Sequence, residues 1–151
     1  MISTIRILQD RIGNASQPYI LLILRILFGY AMFRAGYGKF TNGIEGVAGF
    51  FADLGIPAPL LNAYVVSAVE LVGGLLIMVG LATRFTSAVL VVVMLVALFT
   101  AHMGQVTEIF SAPGAIFIAK GLPVPYIAVL LVTGAFGAGR FSVDHVLAGR
   151  S

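Results

Sequence analysis

The chain has 151 residues, of which 60% are hydrophobic and only 10% are charged, and its mean hydropathy is +1.06. A soluble domain is typically about a quarter charged and under half apolar, and so small a sphere cannot bury the apolar excess. The composition therefore excludes most soluble enzymes and predicts a single-domain integral membrane protein. The absence of cysteine excludes disulfides and thiol catalysis, and a net charge of +3 without a basic stripe excludes nucleic acid as a partner.

Four apolar stretches are long enough to cross about 30 Å of hydrocarbon as helices. They run approximately over Tyr19–Tyr37, Pro59–Leu81, Phe85–Met103 and Leu122–Ala138. They are too long and too continuous for the strands of a membrane barrel, which alternate over about ten residues. The predicted fold is all-α, a bundle of four transmembrane helices over residues 18–139 with short interfacial helices, a tail over 1–17 and a tail over 140–151.

The positive residues that flank these stretches predict the orientation of the bundle. Three regions that share one side of the membrane carry five of them, namely Arg6, Arg11, Arg84, Arg140 and Arg150, whereas the other side carries Lys39 and Lys120. Cytoplasmic loops carry the excess of lysine and arginine. We therefore expect a multi-pass protein with both termini in the cytoplasm.

Two further segments have an apolar stripe at helical spacing. In the N-terminal tail the stripe is Ile2, Ile5, Leu8 and Ile12, and after the first span it is Ile44, Val47, Phe51 and Leu54. Such helices can lie flat on the membrane surface, or they can cap the ends of the bundle. The sequence leaves both alternatives open.

Charged side chains within the spans are costly, so each of them needs a physical reason. Glu70 falls near the middle of the second span, and Arg25 and Arg34 fall on either side of it in depth on the first. Because the two arginines are nine residues apart, an ideal helix directs them to opposite faces. Arg34 can extend to the outer surface, so we expect Glu70 to pair with Arg25, either as a structural ion pair or as part of a functional site.

Small residues and a polar group at the outer end complete the pattern. Close helix packing is predicted by four glycines, namely Gly29, Gly36, Gly73 and Gly74. Alternatively, these glycines leave room for a flat ligand ring.

His102 at the outer end of the third span, together with Lys39 and Tyr37, could bind a quinone carbonyl or pass protons. The only other histidine, His145, falls on the opposite side, so no shared haem and no metal site is expected.

Four stretches together resemble the DoxX family of small bacterial and archaeal membrane proteins. They are LRILFGYAMFRAGYGKF with Arg25 and Lys39, FFADLGIPAPLLNAYVVSAVELVGGLLIMVGLATR with Glu70, MLVALFTAHM with His102, and GAGRFSVDHVL with Asp144. The family often has His-Gly shortly before the lysine, whereas this chain has Ala35 before Gly36 and Arg34 before that.

The resemblance implies a four-helix bundle in the inner membrane that serves as a subunit of a quinone-linked redox system of the sulfur or thiol oxidation class. Its partners would be membrane lipids and either a redox protein or further copies of the chain. No covalent cofactor is expected, and a quinone is the candidate ligand. The expected catalytic proton donor is Glu70, and the expected ligand contacts are Arg25, Arg34, Lys39, Tyr37 and His102. A non-catalytic membrane anchor and a small-molecule permease remain alternatives.

Overall fold

The computed structural model describes residues 2–103 and 123–149. Within these ranges it has six helices and no strand. The helices are α1 (Ile2–Thr41), α2 (Ile44–Asp53), α3 (Pro59–Val79), α4 (Thr83–Ala101), α5 (Pro123–Phe136) and α6 (Val143–Ala148). The all-α prediction is confirmed.

Three of the described helices are long and apolar enough to cross a membrane, namely the Ala15–Thr41 part of α1, α3 and α4. α5 is apolar but has 14 residues, and the predicted start of the fourth span, Leu122, lies outside the described residues. α1 runs without interruption through Pro18, where the sequence predicted a boundary between tail and span. The side chains of the predicted N-terminal stripe also lie outside the described part of the chain.

α1 and α3 pack with their backbones in close contact at glycines. A Cβ atom added to Gly29 would lie 2.8 Å from the carbonyl oxygen of Gly74, and one added to Gly36 would lie 2.7 Å from the carbonyl oxygen of Ser67. Real Cβ atoms do not approach so closely, so only glycine fits. Such packing supplies the dispersion energy that holds membrane helices together, and it sets the register of α1 against α3.

The central core joins four helices. Met32 of α1, Ile77 of α3, Leu90 and Met94 of α4, and Leu130 of α5 form one buried apolar cluster. Leu90 is seated against Gly73, where an added Cβ would lie 2.9 Å from it. We call this cluster the apolar layer, because it fills the middle of the bundle between the two ends described below.

α2 packs on the bundle through its apolar stripe. Ile44 and Ala48 are buried with Ala63 of α3, and Val47 and Phe51 pack against the same cluster. Of the two alternatives that the sequence left open for this segment, the structure shows the one in which its apolar face covers the end of the bundle.

Candidate functional site

The two ends of the bundle differ in how they use buried charge. We name the two ends after the basic residue of α1 that lies at each of them. At the Lys39 end, α1 ends and α3 begins. At the Arg25 end, α3 finishes, α4 begins and α5 finishes. The Lys39 end contains a cavity of about 870 Å³ between α1, α2, α3 and α4, which we call the Lys39 cavity. Its polar lining residues are Arg34, Lys39, Asn42, Asn62, Glu70, Thr100 and His102.

An ion pair between Lys39 Nζ and Glu70 Oε2 forms the inner wall of this cavity. Glu70 is the twelfth of the 21 residues of α3, and its side chain is 6% exposed, compared with 28% for Lys39. A buried carboxylate requires a partner because water no longer solvates it, and the attraction between opposite charges grows as the local dielectric constant falls. The lysine side chain meets this requirement from the end of α1.

The predicted pairing of Glu70 with Arg25 is therefore wrong. Arg25 is 1% exposed and lies at the other end of the bundle. Its Nε donates to the carbonyl oxygen of Ile77 at 3.0 Å, its Nη2 to Met78 at 3.0 Å, and its Nη1 to Phe141 at 3.1 Å and also to Ala138. The last carbonyl groups of a helix have no partner within it. Arg25 supplies one for α3 and joins it to the segment after α5.

Asp144 completes the connections at the Arg25 end. Its two carboxylate oxygens accept hydrogen bonds from the backbone amides of Ala82 at 2.7 Å and Thr83 at 2.9 Å, and its own amide donates to Gly80 at 2.9 Å. Burial acts to raise the pKa of Asp144, but the hydrogen bonds from Thr83 and Ala82 and the charge of Arg25 outweigh it and hold the pKa below its ordinary value. A residue near the C-terminus thus caps the start of α4.

The turn after α3 requires glycine. Gly80 has a φ of 71°, which is the left-handed region. A Cβ at this position would also lie 2.6 Å from the Cβ of Ser142. This close approach lets the chain after α5 lie against the end of α3, where its carbonyl groups reach the Arg25 guanidinium.

The structure brings four of the six predicted site residues together. Glu70, Arg34, Lys39 and His102 all line the Lys39 cavity. Arg25 is bound at the opposite end, and Tyr37 is half exposed and stacks on Phe33 with ring centroids 6.2 Å apart. The predicted packing glycines Gly29, Gly36, Gly73 and Gly74 meet neighbouring helices and do not border the cavity in the described part of the chain.

Sequence reasoning missed the wall that α2 contributes. Gly43, Gly46 and Gly49 recur at every third position, and an added Cβ would meet nothing within 4 Å at any of them. Gly43 and Gly46 line the cavity, as do Asn42 and Asn62. Gly43 precedes α2, and the spacing of three between Gly46 and Gly49 within α2 is the sequence signal for an open face of that helix. Gly43 and Gly46 border open space in this cavity, and none of the three glycines serves close helix packing.

The DoxX family model matches residues 20–103. The chain belongs to the DoxX family. The matched residues contain the whole described lining of the Lys39 cavity, which runs from Arg34 to His102. No solved structure matches the chain.

Three bacterial relatives show the range of this similarity. The chain is 38% identical to the "Putative oxidoreductase CatD" of Bacillus subtilis over 82 residues, which are 54% of this chain and 59% of that protein. It is 28% identical to the "Inner membrane protein YphA" of Escherichia coli over 133 residues, covering 87% of this chain and 93% of the relative. It is 30% identical to an uncharacterized protein of Haemophilus influenzae over 131 residues, covering 85% and 91%. The structure and these relatives agree on a multi-pass DoxX-like membrane protein.

Proposed function

We propose that this DoxX protein is a subunit of a membrane redox system that binds a quinone in the Lys39 cavity. The observation that carries the proposal is a large, mainly apolar cavity whose inner wall is a buried pair of oppositely charged side chains. The name of the Bacillus relative, "Putative oxidoreductase CatD", supports the redox class.

The residues present fit a quinone. Ligand cavities commonly measure about 300–1,000 Å³ and combine apolar walls with a few polar groups that fix orientation, and this cavity of about 870 Å³ falls in that range. Phe51 and Val93 would supply apolar contacts for the ring, and Gly46 lines the same cavity. Lys39 and Arg34 can donate hydrogen bonds to carbonyl oxygens, the acceptors that a quinone offers.

The ion pair gives the chain a means of holding a proton at a defined place. A quinone, when bound, supplies two-electron acceptor chemistry that requires two protons. The Lys39 ammonium would orient a ligand carbonyl, and the Glu70 carboxylate paired with it would accept a proton at this position and later return it. Because the sequence contains no cysteine, we infer that the electrons come from a partner protein or a small sulfur compound.

The proposed orientation follows from the positive residues in the loops. Arg84 and Arg140 lie at the Arg25 end, and the rule that positive loops stay inside assigns this end to the cytoplasm. Both termini would then be cytoplasmic, and the Lys39 cavity would face the opposite side of the inner membrane.

Native mass spectrometry of the protein, extracted in mild detergent from its own membrane, tests ligand binding directly. We expect a bound mass that matches a quinone. The protein carrying only phospholipids would contradict the proposal and favour the membrane anchor. Uptake of a solute by proteoliposomes would favour the permease.

Glu70→Gln tests the role of the carboxyl group. We expect this variant to fold and to lose quinone-linked turnover in membrane vesicles, because the amide cannot exchange a proton. Glu45→Gln is the matched control, since Glu45 is exposed on α2 and is not part of the described cavity lining. Normal turnover in Glu70→Gln would remove Glu70 from the mechanism. Equal losses of folded protein and turnover would make the ion pair structural.

A further inference from the structure

A second concave surface lies at the Arg25 end, apart from the Lys39 cavity. It has a volume of about 700 Å³ and lies between the start of α4 and the segment from the end of α5 through α6. Its charged lining residues are Arg84, Arg140 and Asp144. We call it the Arg84 cleft. Neither the family match nor the proposed quinone site accounts for it.

The cleft has an excess of positive charge. Arg84 and Arg140 are both exposed, and within the described ranges the only salt bridge joins Lys39 to Glu70. Asp144 also borders the cleft, but its carboxylate oxygens already accept the amides of Ala82 and Thr83. Those amides are consequently occupied, and the cleft offers a ligand the two guanidinium groups and the imidazole ring of His145.

The two arginines belong to one surface. The Nε of Arg84 lies 3.7 Å from the place that a Cβ on Gly137 would occupy, so this side chain reaches from α4 to the connection between α5 and α6. Arg140 is part of that same connection. A single anion between them would tie the start of α4 to the C-terminal segment.

The position of the cleft along the bundle indicates what kind of anion it meets. α4 begins at Thr83 and α5 ends at Phe136, so the cleft lies where the apolar helices end, at the depth of the lipid headgroups. Phe85 is 73% exposed and Phe136 is 62% exposed beside it. A ligand with a charged head and apolar chains matches this combination.

We propose that the Arg84 cleft binds the phosphate group of an anionic membrane phospholipid. Arg84 and Arg140 pair with the phosphate oxygens, to which a guanidinium can donate two parallel hydrogen bonds. The acyl chains lie along Phe85 and Phe136. Basic clefts between membrane helices recognise anionic headgroups in this way, and the bound lipid holds the C-terminal segment against α4.

A tryptophan reporter can test the proposal at the site itself, because the chain contains no tryptophan. Phe85→Trp places the reporter in the cleft. Phe99→Trp is the matched control, since Phe99 is 56% exposed on the same helix and does not line the described cleft. Each variant is reconstituted in phosphatidylcholine vesicles, and its fluorescence is quenched by adding brominated phosphatidylglycerol or brominated phosphatidylcholine.

We expect brominated phosphatidylglycerol to be preferred at the Phe85→Trp reporter and not at the Phe99→Trp reporter. Removing one arginine, as in Arg84→Gln or Arg140→Gln, should weaken the preference on the order of fivefold, whereas Arg84→Lys, which keeps the charge but not the two parallel hydrogen bonds, should weaken it less than Arg84→Gln. Equal quenching by the two lipids, or a preference that survives loss of both arginines, would overturn the proposal. Complete reversal by inorganic phosphate would show a site for free phosphate and would likewise overturn the assignment to a lipid.

Discussion

The two ends of the bundle both contain a basic side chain of α1, yet they use it differently. Arg25 is bound by four backbone carbonyl oxygens of two different segments, the end of α3 and the connection after α5, and is sealed from solvent. Lys39 binds one carboxylate and borders a cavity. A buried cation saturated by carbonyl groups fixes the fold. A cation that shares a cavity wall with a carboxylate remains available to a ligand. The chemical nature of the partner, carbonyl groups for Arg25 and a carboxylate for Lys39, distinguishes the roles of the two side chains more than their depth in the membrane does.

The largest effect is expected from breaking the Arg25 end. Arg25→Met would remove the guanidinium that donates to four carbonyl oxygens, and the loss of such a buried charged partner costs about 3–5 kcal/mol of unfolding free energy. Thermal unfolding in detergent, followed by helical circular dichroism, measures it. Arg34→Met is the control because Arg34 is exposed. Equal unfolding midpoints for the two variants would contradict the structural role of Arg25.

The glycines provide a second contrast. Gly36→Ala would drive a methyl group into the backbone of α3 and should cost about 1–3 kcal/mol, as overpacking does. Gly46→Ala enters open space, and it should leave stability unchanged or raise it by up to about 1 kcal/mol through helix propensity. The same unfolding assay compares the two. Equal destabilisation by both substitutions would contradict the open space beside Gly46, because it would show that other atoms pack against this face of α2.

A smaller effect is expected at the cap of α4. Asp144→Asn keeps one acceptor oxygen and loses the other, which should cost about 1 kcal/mol at neutral pH. Because the hydrogen bonds lower the pKa of Asp144 in the folded state, its contribution is complete above the ordinary carboxyl pKa of about 3.9. It is lost as the pH falls through the lower folded-state value. Unfolding midpoints of the variant and the wild type should converge in acid, and a gap that widens there would refute the cap.

Chemical labelling should distinguish the two ends of the bundle by their accessibility to a reagent, with no readout of stability. The apolar layer lies between the Lys39 cavity and the Arg25 end, so we expect the cavity to communicate with the Lys39 side alone. Because the chain has no cysteine, Val93→Cys in the cavity lining and Ser87→Cys, buried nearer the Arg25 end, can be labelled singly. A membrane-impermeant thiol reagent should modify Val93→Cys from the Lys39 side only. Equal modification from both sides of the membrane would show that the layer is open.

The sequence predicted the bundle because hydropathy and length dictate helices in lipid. It also named six candidate site residues, and four of them line one cavity. It could not predict that Arg25 binds carbonyl groups, because every residue offers a carbonyl and only the register of Gly29 against Gly74 selects Ile77 and Met78. Likewise, the partner of Glu70 depended on how far the Lys39 side chain extends back along α1, a distance that residue spacing alone does not give.

The most direct test of the Lys39 cavity as the ligand site fills it without touching a charge. Gly46 lines the cavity, so Gly46→Leu adds bulk at its wall, whereas Gly49→Leu adds the same bulk to the same helix outside the described lining. Native mass spectrometry of both variants measures retained quinone. We predict that Gly46→Leu loses the ligand and that Gly49→Leu keeps it, with both proteins equally folded. Full retention by Gly46→Leu would contradict the assignment of the Lys39 cavity as the binding site.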